Sequence, residues 1–345
     1  MESKILMITP FHKQIRGNTV TALRISAGME ALGWRIDLCS LEERQKKEDF
    51  NKGACPDGSG AYGMIHGFHA LYTGKALAEA EKLKRTPLLL TMTGTDLHSL
   101  RSGKDERMIA DVLDSAAAIA VFNADFIVFL SSINQAWGKK TALIPQGVVL
   151  KDGKPLSGEA LGLSEKEFIF ILPSGLRAIK NIDLAVDALD IVYKRGYKVR
   201  LLIVGAVIEA DYAERLKKRI HLHPAIKYLG AFNHDDMKPL LQLADVVVNC
   251  SLSEGQPQAV LEGMSLGKPC ILTAVPGNLN IIENFREGIY VQNTKDSAAA
   301  MEFYLREPER TKTMGQAARE LVENQFTAAA EIKAYHALYK SLVRD

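Results

Sequence analysis

Short runs of consecutive apolar residues recur along the chain, and between them lie longer stretches in which apolar positions return every three or four residues. The first kind fits strands buried on both faces of a parallel sheet, and the second fits amphipathic helices laid over it. Strands are predicted at 5–8, 34–38, 64–66, 88–92, 118–122 and 142–144, and again at 168–172, 199–204, 226–229, 246–249, 270–273 and 289–291. Helices are predicted from an N-cap at Asn18 to Gly33, over 182–193, and over 235–243. Alternation of this kind predicts open, parallel α/β sheets.

The polar stretch KDGKPLSG at 151–158 reads as a linker, and 345 residues suffice for two cores of roughly 150 residues each. The expected division is a first Rossmann-like domain at 1–150 and a second at 151–325. Residues 42–49 mix acidic and basic side chains and 51–60 are rich in glycine, so a solvated loop is expected there. Phe326, Ile332, Tyr335, Leu338, Tyr339 and Leu342 stand at helical spacing. They predict a closing helix over about 326–345 that packs on an apolar surface, with the first domain as the candidate.

Composition narrows the partners. A formal charge of +2 gives no nucleic-acid footprint, so no nucleic-acid partner is expected. Cys39, Cys55, Cys250 and Cys270 show no paired spacing and lie mostly in or beside apolar runs, which predicts reduced, mostly buried thiols and a cytoplasmic protein. No stretch reaches the ~18 apolar residues of a membrane span, and the chain passes straight into its first strand. Neither a transmembrane segment nor a signal peptide is expected.

The chemistry concentrates late. SEGQPQAVLE at 253–262 follows the apolar run 246–249 and reads as polar loop, then helix. Pro257 suits the first helical position, and Gly267 ahead of Lys268 and Pro269 stops the helix. Backbone N–H groups at such a start, among Gly255, Gln256, Gln258 and Ala259, face an anion. Glu254 in the loop and Glu262 about two turns along the helix accept hydrogen bonds from sugar and ribose hydroxyls. GLRAIKN at 175–181 puts Arg177 and Lys180 at the C-terminal edge of the strand 168–172, where open α/β sheets bind ligands. A forked Arg and a point-charge Lys together neutralise a diphosphate. Arg16 and Gly17, ahead of the first helix, fit an approach to phosphate, although the glycine also reads as a plain turn. The first turn lacks GxGxxG, which argues against a nicotinamide or flavin enzyme, and no cofactor is expected. His221 and His223 lack a third ligand nearby, so they read as a helix end and no metal site is expected.

The spacing of Glu254 and Glu262 resembles the E-x7-E signature of family 4 glycosyltransferases of the GT-B fold. GLRAIKN resembles that family's donor-diphosphate segment, and IKYLGAF at 226–232, with Gly230, resembles the segment whose backbone meets the nucleotide base. VPGN at 275–278, EGIYV at 287–291 and IPQGV at 144–148 are similar to further elements. Within the family the wording is most similar to glycosyltransferase 1 domain-containing proteins, while RGNTVTALR at 16–24 and LTMTGTDL at 90–97 resemble a bacterial selenosugar synthase over the first half. The resemblance implies two Rossmann-like domains facing across a cleft, with a nucleotide sugar on the second and an acceptor on the first. It implies retaining, metal-independent transfer of a sugar from a UDP-linked or other nucleoside-diphosphate donor to an acceptor the sequence does not identify. Glu254 then lies by the donor sugar, Glu262 binds the ribose, and Arg177 and Lys180 hold the diphosphate.

The chain departs from that pattern at Thr93, where many members carry a His, and at Asn280, where an acid often follows the Pro-Gly turn. Thr93 is expected to serve through its hydroxyl, and it also reads as a simple strand end. His66, His69, Asp96 and His98 are the acceptor-side candidates. Two rivals stay open: an epimerase or phosphorylase of the same fold, and a nucleotide-sugar-binding protein without turnover.

Overall fold

A computed structural model describes residues 4–10, 17–41, 62–103, 105–164 and 166–343 and divides the chain into two compact units. One comprises Met1–Gly147 with Ala328–Asp345, and the other Val148–Thr327. Arg16, Cys55 and the loop expected over 42–60 lie outside the described residues.

The apolar runs form two six-stranded sheets in which every neighbouring pair is parallel. In the first unit they are β1 (Lys4–Thr9), β2 (Arg35–Ser40), β3 (Met64–Phe68), β4 (Leu88–Thr91), β5 (Ala118–Val121) and β6 (Thr141–Leu143), ordered β2-β1-β3-β4-β5-β6. In the second they are β7 (Phe168–Pro173), β8 (Val199–Val204), β9 (Ile226–Tyr228), β10 (Val246–Asn249), β11 (Cys270–Thr273) and β12 (Gly288–Val291), ordered β12-β11-β10-β7-β8-β9. Side-chain alternation feeds both faces of each sheet. Leu6 and Ile8 enter one core layer and Ile5 and Met7 the opposite one, as do Phe170 and Leu172 against Ile169 and Ile171. Each chain segment starts in mid-sheet and winds outward, then returns to the other side of its first strand. The winding therefore reverses between β1 and β3 and between β7 and β10. At such a reversal the loops leaving the two strands diverge, and their C-terminal ends border a crevice.

The last helix, Ala328–Leu342, belongs to the first unit. Tyr335 and Tyr339 are fully buried there, with Ile332, Leu338 and Leu342 packed around them. Gly28 lets this helix approach the helix Gly17–Glu30, since a Cβ on it would sit 2.4 Å from Ile332 Cδ1. Polar contacts fix the register. Arg24 forks onto Glu331 at 2.7 and 2.9 Å, and Trp34 Nε1 donates to His336 Nδ1 at 2.9 Å. His66 meets Tyr339 Oη and Thr91 Oγ1 at 2.7 Å each.

Four local expectations are corrected. The first helix begins at Gly17, so Asn18 lies inside it rather than capping it, and its amide Nδ2 donates to Thr93 Oγ1 at 3.2 Å. That helix ends at Glu30, with residues 31–33 forming a turn. Pro257 precedes the helix Gln258–Ser265 instead of opening it. Phe326 sits in a core layer of the second unit, ahead of the closing helix. The stretch 151–158 lies on the second unit, where Lys151 pairs with Asp235 at 3.1 Å and Leu156 packs against a core layer. Among the described residues Cys250 and Cys270 are buried free thiols, Cys39 is half-buried, and burial pushes Cys250 up to about 12. No helix among the described residues is long and apolar enough to cross a membrane.

The Arg24 and Glu331 side chains are 9% and 0% exposed, so removing the cation strands a carboxylate in the interior. Arg24→Met is expected to destabilise the protein by about 3–5 kcal/mol, whereas Arg319→Ala, which breaks an exposed pair with Glu323, should cost at most about 0.5 kcal/mol. Urea unfolding of both variants checks this, and equal midpoints would show that the fork contributes no more than a surface pair.

Candidate functional site

The reversal point of the second sheet collects the chain's chemistry. The loop leaving β7 turns through the 3-10 segment Ala178–Lys180, and the loop leaving β10 carries residues 250–257. The two are tied together by Leu252 N–H donating to the Ile179 carbonyl at 2.9 Å. Across the crevice Lys180 Nζ donates to Glu254 Oε1 at 2.5 Å, with the two side chains only 15% and 10% exposed. Asn249 Nδ2 and Ser251 Oγ donate to that same oxygen at 2.9 and 2.6 Å. Oε2 receives no hydrogen bond from the described residues. Burial pushes Glu254 upward, but the Lys180 charge and the three hydrogen bonds outweigh it, holding the carboxyl below its ordinary range.

Arg177 stands next to this pair in sequence, half-buried, and its guanidinium meets no partner among the described residues. The N–H groups of Gly255 and Ala259 likewise find no acceptor there. A guanidinium and two N–H groups that meet no acceptor among the described residues are donors of the kind suited to phosphate oxygens. Gln256 is buried and Gln258 half-buried around them. Glu262 lies one helix turn deeper, its side chain 5% exposed, and His234 Nε2 pairs with its Oε1 at 2.9 Å. Gly230, four residues before His234, has φ +81° and would direct a Cβ into open space.

The first-unit candidates separate. Asp96 is fully buried, and it accepts from the N–H groups of Thr93, Gly94 and Leu97 through Oδ1 and from Ala70 through Oδ2, at 2.9–3.1 Å. Its two oxygens serve N–H groups at two helix starts. His66 is also enclosed, with both ring nitrogens engaged, and burial pushes it down to about 3, so it stays neutral and internal. His69 is buried at the end of β3, beside the reversal point of the first sheet, with φ +71°, a conformation uncommon for a histidine. His98 is exposed. Thr93 is half-buried and its hydroxyl accepts from Asn18. Gly17 is exposed at the start of its helix, and its carbonyl accepts from Thr21.

The sequence reading missed His234, Asn249, Ser251 and Asn278. The available signal was polar side chains ending an apolar strand, Asn249 and Ser251, immediately ahead of the carboxylate they serve.

Residues 154–321 match the family model described as Glycosyl transferases group 1. Among curated proteins, the chain is 24% identical over 343 residues to Glycosyltransferase 1 domain-containing protein 1 of Xenopus tropicalis, covering 94% of each. Among solved structures it resembles sucrose-phosphate synthase from Thermosynechococcus elongatus with a TM-score of 0.82 at 20% identity, covering 99% of each chain. It also resembles the Anabaena HepE protein, solved with UDP and glucose, with a TM-score of 0.78 at 17% identity, covering 99% of this chain and 100% of that one. The two structural likenesses concern the fold, and that fold is GT-B.

The depressed Glu254 stabilises the fold above the unfolded carboxylate pKa, and this contribution is lost as pH falls through the folded value. Lys180→Met removes the charge opposing burial, so Glu254 moves up. The stability deficit of Lys180→Met relative to wild type should be largest near neutral pH and shrink below about pH 4. Urea titrations at about pH 7 and about pH 3 measure it, and a pH-independent deficit would show that Lys180 does not act on the Glu254 charge.

Proposed function

We propose, from the match of residues 154–321 to the family model described as Glycosyl transferases group 1, that this chain transfers a sugar from a UDP-linked donor to a hydroxyl acceptor, with retention and without a metal ion. The observation carrying this reading is the Lys180 to Glu254 contact across the reversal point, where a diphosphate-binding cation and a sugar-binding carboxylate share one crevice. The UDP and glucose in the HepE complex support the choice of nucleotide.

Breaking the bond between sugar and diphosphate gathers positive charge on the sugar ring and negative charge on the leaving group. Arg177, Lys180 and the N–H groups of Gly255 and Ala259 answer the second of these, and no divalent ion is required for that purpose. Lys180 is the residue that moves. It pairs with Glu254, and a bound diphosphate competes for it, which frees the carboxylate to accept sugar hydroxyls. Glu262, steadied by His234, receives the ribose hydroxyls through its other oxygen. The acceptor hydroxyl gives its proton to the departing phosphate, consistent with His66 and Asp96 being enclosed in the first-unit core. His69, His98 and Thr93 remain the first-unit residues to test for acceptor binding.

Thermal-shift measurement over a panel of nucleotide sugars, followed by product analysis with and without EDTA, tests the reading. A free sugar or transferred product that persists in EDTA supports it. An isomerised donor formed without acceptor would identify an epimerase instead, and binding without any product, in wild type and Glu254→Gln alike, would identify a binding protein.

Glu262→Ala is expected to weaken UDP binding by roughly ten- to a hundred-fold, as loss of a charged hydrogen bond costs about 1.5–3 kcal/mol. His234→Ala should weaken it less, because it leaves the carboxylate in place. Calorimetry decides: unchanged affinity in Glu262→Ala would place the nucleotide elsewhere.

A further inference from the structure

We infer that Asn249 and Asn278 form a two-amide brace that positions Glu254, fixing one carboxylate oxygen so that the other is presented to the donor sugar. The role of Glu254 rests on the donor-site reading above; the brace itself is read from geometry. Asn249 ends β10, and its Nδ2 donates to Glu254 Oε1 at 2.9 Å. Its Oδ1 accepts from Ser251 N–H at 3.0 Å and from Asn278 Nδ2 at 3.2 Å. This pattern admits one orientation, because a reversed Asn249 amide would set oxygen against Glu254 Oε1 and hydrogens against two donors. Asn278 Nδ2 also lies 3.0 Å from the Thr273 carbonyl and 3.2 Å from its Oγ1. Thr273 Oγ1 donates to the Ser251 carbonyl, and Ser251 Oγ donates to Glu254 Oε1, both at 2.6 Å. Three segments, the end of β10, the loop after it and the turn after β11, thus close on a single carboxylate oxygen.

The main chain is gripped in the same place. Glu254 N–H donates to the Pro276 carbonyl at 3.2 Å. Gly277, at φ +88°, lies so close that a Cβ would stand 1.9 Å from the Glu254 carbonyl oxygen, a contact open only to glycine. Asn278 is fully buried, and its Oδ1 receives no hydrogen bond there. An apolar side chain there would carry no unsatisfied polar atom of its own but would take the donor away from Asn249 Oδ1 and the Thr273 carbonyl. An asparagine that tolerates one is explained by what its Nδ2 does. The charged group facing Glu254 is Lys180, from the loop after β7; Asn249 and Ser251 contribute neutral donors.

Asn249→Asp tests the brace, since it keeps an oxygen toward Ser251 N–H and Asn278 while replacing the donor to Glu254 with an acceptor. Asn278→Ala is the arm that adds no charge. Carbon-13 NMR titration of the glutamate carboxyls, with the Glu254 signal identified by its loss in Glu254→Gln, reads the positioning without requiring activity. The expected result is an upward move of Glu254 by about one unit or more in Asn249→Asp and a smaller upward move in Asn278→Ala. Turnover should fall by roughly a hundred-fold and ten-fold, with the acid limb of the pH profile moving up and UDP affinity within about two-fold of wild type. An unmoved Glu254 titration in both variants overturns the brace. So does a loss of turnover matched by equal loss of UDP affinity and melting temperature, which marks a merely structural role. If Glu254→Gln leaves turnover intact, the donor-site reading fails instead, and the titration still decides the brace.

Discussion

A parallel sheet is joined by crossovers that pass over its faces, and their right-handedness sends the chain over one face when it winds one way and over the other when it winds back. The second unit begins in mid-sheet at β7, runs outward to β9 and resumes at β10 on the far side of β7. The opening between the β7 and β10 loops is therefore a product of winding, present before any ligand is considered. Lys180 and Glu254 come from those two loops and close that opening. The apolar strands below supply only rigidity, and they supply it on both faces.

Within that opening the hydrogen bonding is unevenly shared. Lys180, Asn249 and Ser251 all load one oxygen of Glu254, while Arg177 and two backbone N–H groups carry no protein partner among the described residues. The surplus is cationic and donor-rich on the side expected to meet phosphate, and acceptor-rich at Glu254 and Glu262 where hydroxyls are expected. Such a division lets one ligand with both characters satisfy groups that no monatomic ion could satisfy together.

Strand identity was legible because burial on both faces forces uninterrupted apolar runs; even the three-residue strands β6 and β9 stood out. Helix ends were less so. Asn18 looks like a cap by type, yet its amide reaches Thr93, a contact made by packing and invisible to local sequence. The two carboxylates and two cations of the candidate site were legible through their spacing and their place after strands. The enclosure of Asp96 and His66 was not legible, because residue type does not reveal whether a polar group faces solvent or bonds to backbone N–H groups and neighbouring hydroxyls. Asn278 and His234 were missed for the complementary reason. His234 lies apart in sequence from Glu262 and Asn278 from Asn249, and only the tertiary fold brings them near.

The first unit is discontinuous in sequence, since Ala328–Leu342 completes a core whose other members lie before Gly147. On a ribosome the chain emerges from its N-terminus, so β1 to β6 must wait for all of Val148–Thr327 before Tyr335 and Tyr339 can fill their places. Until then the layer holding Ile5, Met7, Ile25 and Met64 lacks its last covering helix and is more prone to association with other chains. The second unit has no such wait, because it is one continuous segment, Val148–Thr327. The order of maturation during synthesis is thus inverted relative to the order of the sequence: the unit translated later can finish first.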